Sequence, residues 1–191
     1  MYNILKSVVS VAVIALMYAV YAASSSQLAS SSTGSMPVID IEILYQTDVG
    51  KFVEQEIMCL SENIYFESGT ESDAGKIGVA LVTMNRVRDS RWPDTVCGVV
   101  KQGPTYTTGS GKVFPRKHRC QFSWYCDGKP DIPYPGEIWK KSQQIAETVY
   151  FTNSYQGLVE GATHYHAIYV QPYWTSHFRV VTQIDNHIFY R

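Results

Sequence analysis

Four cysteines, Cys59, Cys97, Cys120 and Cys126, constrain this chain more than any other feature, because all of them follow an apolar N-terminal run. An even number of cysteines beyond an export-type segment favours two disulfides, which would staple whatever fold forms around them. Four cysteines allow three pairings. Cys120 and Cys126 are close enough in sequence to close a small loop, which would leave Cys59 with Cys97. A zinc site is the competing reading, and no pair here has the two-residue spacing of a cysteine zinc knuckle.

The apolar run extends from Val8 to Ala23, diluted by Ser10, Tyr18 and Tyr21, with Lys6 as the only early charge. Val20-Tyr21-Ala22 places small residues at the two positions a signal peptidase reads. The run is short of the roughly 20 residues of a spanning helix. Residues 1–23 therefore read as a signal peptide or an N-terminal membrane anchor, with transient or retained membrane contact through residues 8–23. Either way the protein is exported, to a periplasmic or extracellular space. Residues 24–50 read as a Ser-rich linker, and residues 51–191 as the folded domain.

Hydrophobic residues make up 45% of the chain and charged residues 17%, a globular composition. A formal net charge of −1 gives no basic excess to recruit nucleic acid, and no strongly cationic binding surface is expected. A monomer is expected. Aromatics reach 13%, with 14 Tyr, which suits core packing and stacking on sugar faces alike.

Val53 to Phe66 carries Ile57, Met58, Leu60, Ile64 and Tyr65 at helical spacing, and Ser68-Gly69-Thr70 ends it. A second helix starts after the N-cap Ser72 and runs to Asn85–Asp89, with Trp92-Pro93 as its stop. A third spans Glu137 to Phe151. Between them Val99 to Gly136 is rich in Gly and Pro and reads as a long loop. The tail changes period: Thr163–His166 and Phe178–Ile184 read as strands, and Asp185-Asn186 turns the chain into a final strand, His187–Tyr190. The expected class is α+β, with a C-terminal antiparallel β-hairpin.

Glu67 follows the aromatic pair Tyr65-Phe66 at the end of the first helix. A carboxyl pressed among apolar rings keeps its proton to higher pH and becomes able to protonate a leaving oxygen. The plainer reading is a helix-end carboxylate in a cap or surface salt bridge. Glu62 lies five residues earlier and points about 140° away, so it is a poor partner. Glu71 lies beyond the helix break and could bend back. His164 and His166 share one face of a strand. They suit either two zinc ligands, with His118, His177, His187 or Asp185 as a third, or a hydrogen-bonded pair on a groove wall. Gln121, Ser123 and Trp124 lie between two cysteines. They offer an amide, a hydroxyl and an indole, the groups a sugar site uses, although Trp124 is equally at home in a core.

These segments together resemble the SleB family of bacterial cell-wall hydrolases, the spore-cortex-lytic type. The resemblance rests on Cys59-Leu60 through Tyr65-Phe66-Glu67, Glu71-Ser72, Gly75 and Asn85-Arg86-Val87, then on Pro93 through Val100 and Cys120 through Trp124. It continues in Gly161 through His166 and Asn186 through Tyr190, so it covers about residues 54–191. It implies a lysozyme-like or lytic-transglycosylase-like catalytic domain that cuts peptidoglycan glycan strands between N-acetylmuramic acid and N-acetylglucosamine. Glu67 would be the catalytic acid, and Glu71, Gln121, Ser123, Trp124, His164 and His166 would contact substrate. No cofactor is implied. Where the family often reads Glu-Ala-Arg-Gly-Glu, this chain reads Glu67-Ser68-Gly69-Thr70-Glu71, without the Arg. A zinc amidase or peptidase using His164 and His166, and a non-catalytic wall-binding module, are the alternatives.

Overall fold

The computed structural model describes residues 47–191. The export segment at 1–23 and the Ser-rich stretch up to residue 46 lie outside the described residues. Three long helices form the body: α1 (Asp48–Ser68), α2 (Asp73–Arg88) and, after the short α3 (Val96–Val100), α4 (Glu137–Phe151). The small strands β1 (Thr105–Thr107) and β2 (Val113–Pro115) lie between α3 and α4, and β3 (His164–Ala167), β4 (Val180–Ile184) and β5 (His187–Tyr190) follow α4.

Helix starts obey local chemistry. Thr47 caps α1 by accepting from the Gly50 N–H at 3.0 Å, so the helix begins inside the stretch assigned to the linker. Ser72 caps α2, and Thr95 caps α3. α1 packs against α2, α3 and α4, and α2 against α4. Their shared core contains Leu60, Ile64, Leu81, Val82, Ile145, Ala146 and Val149, all buried.

α3 is bolted to α1 twice. The carboxylate of the buried Glu56 accepts from the N–H groups of Val96 and Cys97, two of the donors that a helix start leaves unpaired. One turn along α1, Cys59 forms a disulfide with Cys97. The second disulfide joins Cys120 to Cys126. Among the three possible pairings, the structure therefore adopts the one that the small loop suggested.

The C-terminal hairpin β4–β5 is present, and β3 adds to it as a third antiparallel strand in the order β3-β5-β4. In this register Tyr165 lies opposite Phe189, and His166 opposite Ile188. Asp185, at φ 47°, occupies the left-handed turn conformation that Asp tolerates better than most residues.

The sheet is clamped to both ends of α2. At the helix start, Asp185 Oδ2 accepts from the Ser72 N–H (2.8 Å) and hydroxyl (2.6 Å), while Glu71 accepts from Asn186. At the helix end, Asn85 donates to the Ala162 carbonyl (2.9 Å) and Arg86 Nε to the Thr163 carbonyl (2.7 Å). In the middle, Gly78 admits the Phe189 ring: a Cβ there would lie 2.7 Å from it. These three attachments fix where β3 presents its side chains.

Val99–Gly136 is less loop-like than its composition suggests. It holds the β1–β2 hairpin, with Tyr106 opposite Phe114, and a 3-10 turn over Ser123–Cys126. Among the described residues, no helix is long and apolar enough to cross a membrane.

Candidate active site

The last turn of α1 carries Glu67, and β3 brings Tyr165 to it across 98 positions of sequence. The Tyr165 hydroxyl donates to Glu67 Oε2 at 2.8 Å. Burial raises the Glu67 carboxyl above the ordinary carboxylate range. The Tyr165 hydrogen bond and the positive charge of Arg86 pull it down, but less strongly. Tyr165 is itself pushed well above a normal phenol by burial and by the neighbouring Glu67, so it remains a donor.

Arg86 completes this group from α2. It is only 3% exposed, and its guanidinium lies 4.3 Å from the centre of the Trp92 ring and 5.2 Å from that of Phe122. Burial lowers it to about 10, so it stays charged at neutral pH. Its Nη1 is buried without a hydrogen-bond partner among the described residues. A buried cation, a phenol donor and an acid with a raised pKa thus stand together at the end of α1.

Aromatic packing sets the floor beneath Glu67. Phe66 stacks on Trp124 with centroids 4.7 Å apart, and Tyr65 meets Trp139 edge-on. Trp124 is 8% exposed, and its indole N–H donates to Asn63 Oδ1 (3.0 Å). Asn63 in turn donates to Thr83. The structure thus gives Trp124 a supporting place under Phe66, whereas Gln121 and Ser123 on either side of Phe122 are exposed.

Glu71 does not turn back toward Glu67. Both of its carboxylate oxygens are engaged by Asn186, at 3.0 and 3.2 Å. Glu62 sits in a different environment: burial raises it, with Lys101 and Asp131 as its charged neighbours.

His164 and His166 point to the face of β3 opposite Tyr165, as strand alternation requires. Both meet the Trp174 ring, at 5.4 and 5.7 Å, and His164 also packs on Phe178. Burial and the charges of Arg86 and Arg91 depress His164 to about 4, so it is neutral at pH 7. His166 Nδ1 donates to the Ala167 carbonyl (2.9 Å), and its Nε2 accepts from the Tyr190 hydroxyl (2.8 Å). Both ring nitrogens are therefore engaged. Among the described residues, no group of three or more His, Cys, Asp or Glu side chains is arranged to hold a metal ion.

Sequence reasoning had not placed Tyr165 or Arg86 at the site. Tyr165 carried one usable signal, since it lies between two histidines on a strand and must face away from them. Arg86 stood only within a matching motif.

A family model described as "Cell Wall Hydrolase" matches residues 70–190. The chain belongs to the cell wall hydrolase family. The match takes in Arg86 and Tyr165 and begins just past Glu67. Two solved structures share the fold of this cell wall hydrolase, each at 24% identity. One is the catalytic domain of the Bacillus cereus SleB protein, with a TM-score of 0.51, covering 72% of this chain and 91% of that one. The other is the catalytic domain of the germination-specific lytic transglycosylase SleB from Bacillus anthracis, with a TM-score of 0.52 and coverages of 72% and 95%. No curated protein matches this cell wall hydrolase.

Proposed function

We propose that this protein cleaves peptidoglycan glycan strands, between N-acetylmuramic acid and N-acetylglucosamine, with Glu67 as the sole acid/base group. The observation that carries the reading is the Glu67 carboxyl itself: burial raises its pKa, while the Tyr165 hydroxyl donates to it and the Arg86 charge favours its ionised form. The protonated Glu67 gives its proton to the glycosidic oxygen as the C1–O bond breaks, and becomes a carboxylate. That carboxylate then takes a proton from a hydroxyl of the same sugar, whose oxygen bonds to C1. Glu67 is protonated again, and the product carries an anhydro-muramic end. A water in place of that hydroxyl gives the muramidase outcome instead.

One carboxyl suffices for the first route. This agrees with Glu71 being engaged by Asn186 and with Glu62 standing among other neighbours. The likeness to a lytic transglycosylase fold supports the anhydro outcome. Glycan strands are the partner this reading names, reached after export.

Mass spectrometry of digested, purified peptidoglycan tests it. Glycan cleavage gives muropeptides with anhydro ends, one water lighter than their hydrolysed counterparts. Release of free stem peptides from intact glycan strands would overturn the reading in favour of an amidase.

A further inference from the structure

The net charge of −1 conceals a segregated charge distribution. Residues 101–129 contain Lys101, Lys112, Arg116, Lys117, Arg119 and Lys129 against a single acid, Asp127. Asp127 is taken by Lys129, at 3.6 Å. Lys101 faces Glu62 and Asp131. Arg119 is exposed and makes no side-chain hydrogen bond or ion pair with any described residue.

This basic lobe is built rigidly at its root. Gln121 N–H donates to the Gln102 carbonyl and Arg116 N–H to the Pro104 carbonyl, both at 2.8 Å, and the Cys120–Cys126 disulfide closes the base. Gly103 lets the two limbs approach, since a Cβ there would lie 3.0 Å from both Cα and Sγ of Cys120. Between the limbs lies a cleft of about 490 Å³ lined by Gln102, Gly103, Pro104, Arg119, Cys120 and Gln121. Gln102, on the cleft wall, carries a buried amide oxygen that has no donor partner among the described residues. On the β1–β2 hairpin, Tyr106 and Phe114 stack at 5.9 Å while remaining 48% and 43% exposed.

An unpaired guanidinium beside an unpaired amide acceptor suits a ligand that carries both a carboxylate and N–H donors. That description fits a short acidic peptide better than a neutral sugar. The segment Cys120–Trp124 also links the cleft to the site, since Phe122 lies against Arg86 and Trp124 lies under Phe66. We propose that this cleft binds the acidic stem peptide borne by the glycan strand, with Arg119 as the carboxylate partner and Gln102 as the N–H acceptor. The proposal rests on the glycan-cleavage reading for the identity of the strand. It makes the lobe a determinant of which strands, peptide-bearing or bare, the enzyme prefers.

The test uses Glu67→Gln protein, so that ligands survive, titrated with a disaccharide-peptide and with the same disaccharide lacking its peptide. We expect the peptide-bearing ligand to bind about tenfold tighter, the size of one charge-assisted hydrogen-bonded contact. Adding Arg119→Gln, an exposed position, should bring the two affinities within about twofold of each other. Equal affinities in the Glu67→Gln protein, no measurable binding of either ligand, or a preference that survives Arg119→Gln would each overturn the proposal. So would tighter binding of poly(glycerol phosphate) than of the disaccharide-peptide, which would assign the lobe to an anionic polymer. The glycan-cleavage reading is judged separately, by turnover of insoluble peptidoglycan, so the two fail by different measurements.

Discussion

Glu67 is held between opposing influences, and their order sets its pH behaviour. Burial raises its pKa, while the Tyr165 hydroxyl and Arg86 lower it by a smaller amount. In the proposed mechanism the acid acts in its protonated form, so kcat/KM should fall as pH rises through the raised pKa. Tyr165→Phe removes a hydrogen bond that favours the carboxylate, and should move this alkaline limb to higher pH; a pH–rate profile checks the direction. The same pKa makes a statement about stability. Because the folded-state value lies above the unfolded one, wild-type protein gains stability as pH falls through the folded pKa and loses it as pH rises. Glu67→Gln removes this titration, so the share of the pH dependence of Tm that Glu67 contributes should be absent from the variant. Glu67 stood out in the sequence because its aromatic neighbours precede it directly. Tyr165 did not, because nothing local connects β3 with the end of α1.

At the scale of elements, the α2–sheet contact is the joint that aligns Tyr165 with Glu67. Gly78 is its tightest point, and an added methyl must displace the Phe189 ring. Gly78→Ala should destabilise the fold by about 1–3 kcal/mol, as overpacking of a filled core does, measured by denaturant unfolding. The long helices were legible because apolar spacing, Ser72 and the Ser68-Gly69-Thr70 break all agree on their limits. The hairpin at 105–115 was not, because its three-residue strands are largely exposed and show no buried face to set an alternation. The pairing of β3 onto β5 also escaped notice, since it joins segments that enclose a 3-10 turn and an intervening strand.

For the whole molecule, the two disulfides do different work. Cys59–Cys97 closes a loop of sequence separation 38 and ties α1 to α3, whereas Cys120–Cys126 closes only the base of the basic lobe. Replacing Cys59 and Cys97 together with Ala should cost about 2–4 kcal/mol, read from the unfolding midpoint under oxidising conditions. Net charge is a poor guide at this scale: a sum of −1 argues against a cationic surface, yet Lys112, Arg116, Lys117 and Arg119 cluster between β1 and the second disulfide with no acidic residue among them. The central proposal is that one carboxyl, Glu67, drives glycan cleavage beside Tyr165 and Arg86. The most direct measurement is release of soluble muropeptides from purified peptidoglycan by Glu67→Gln protein whose Tm has been verified. The expected result is a loss of at least about 100-fold with the fold intact; release at near wild-type rate from the folded variant would contradict it.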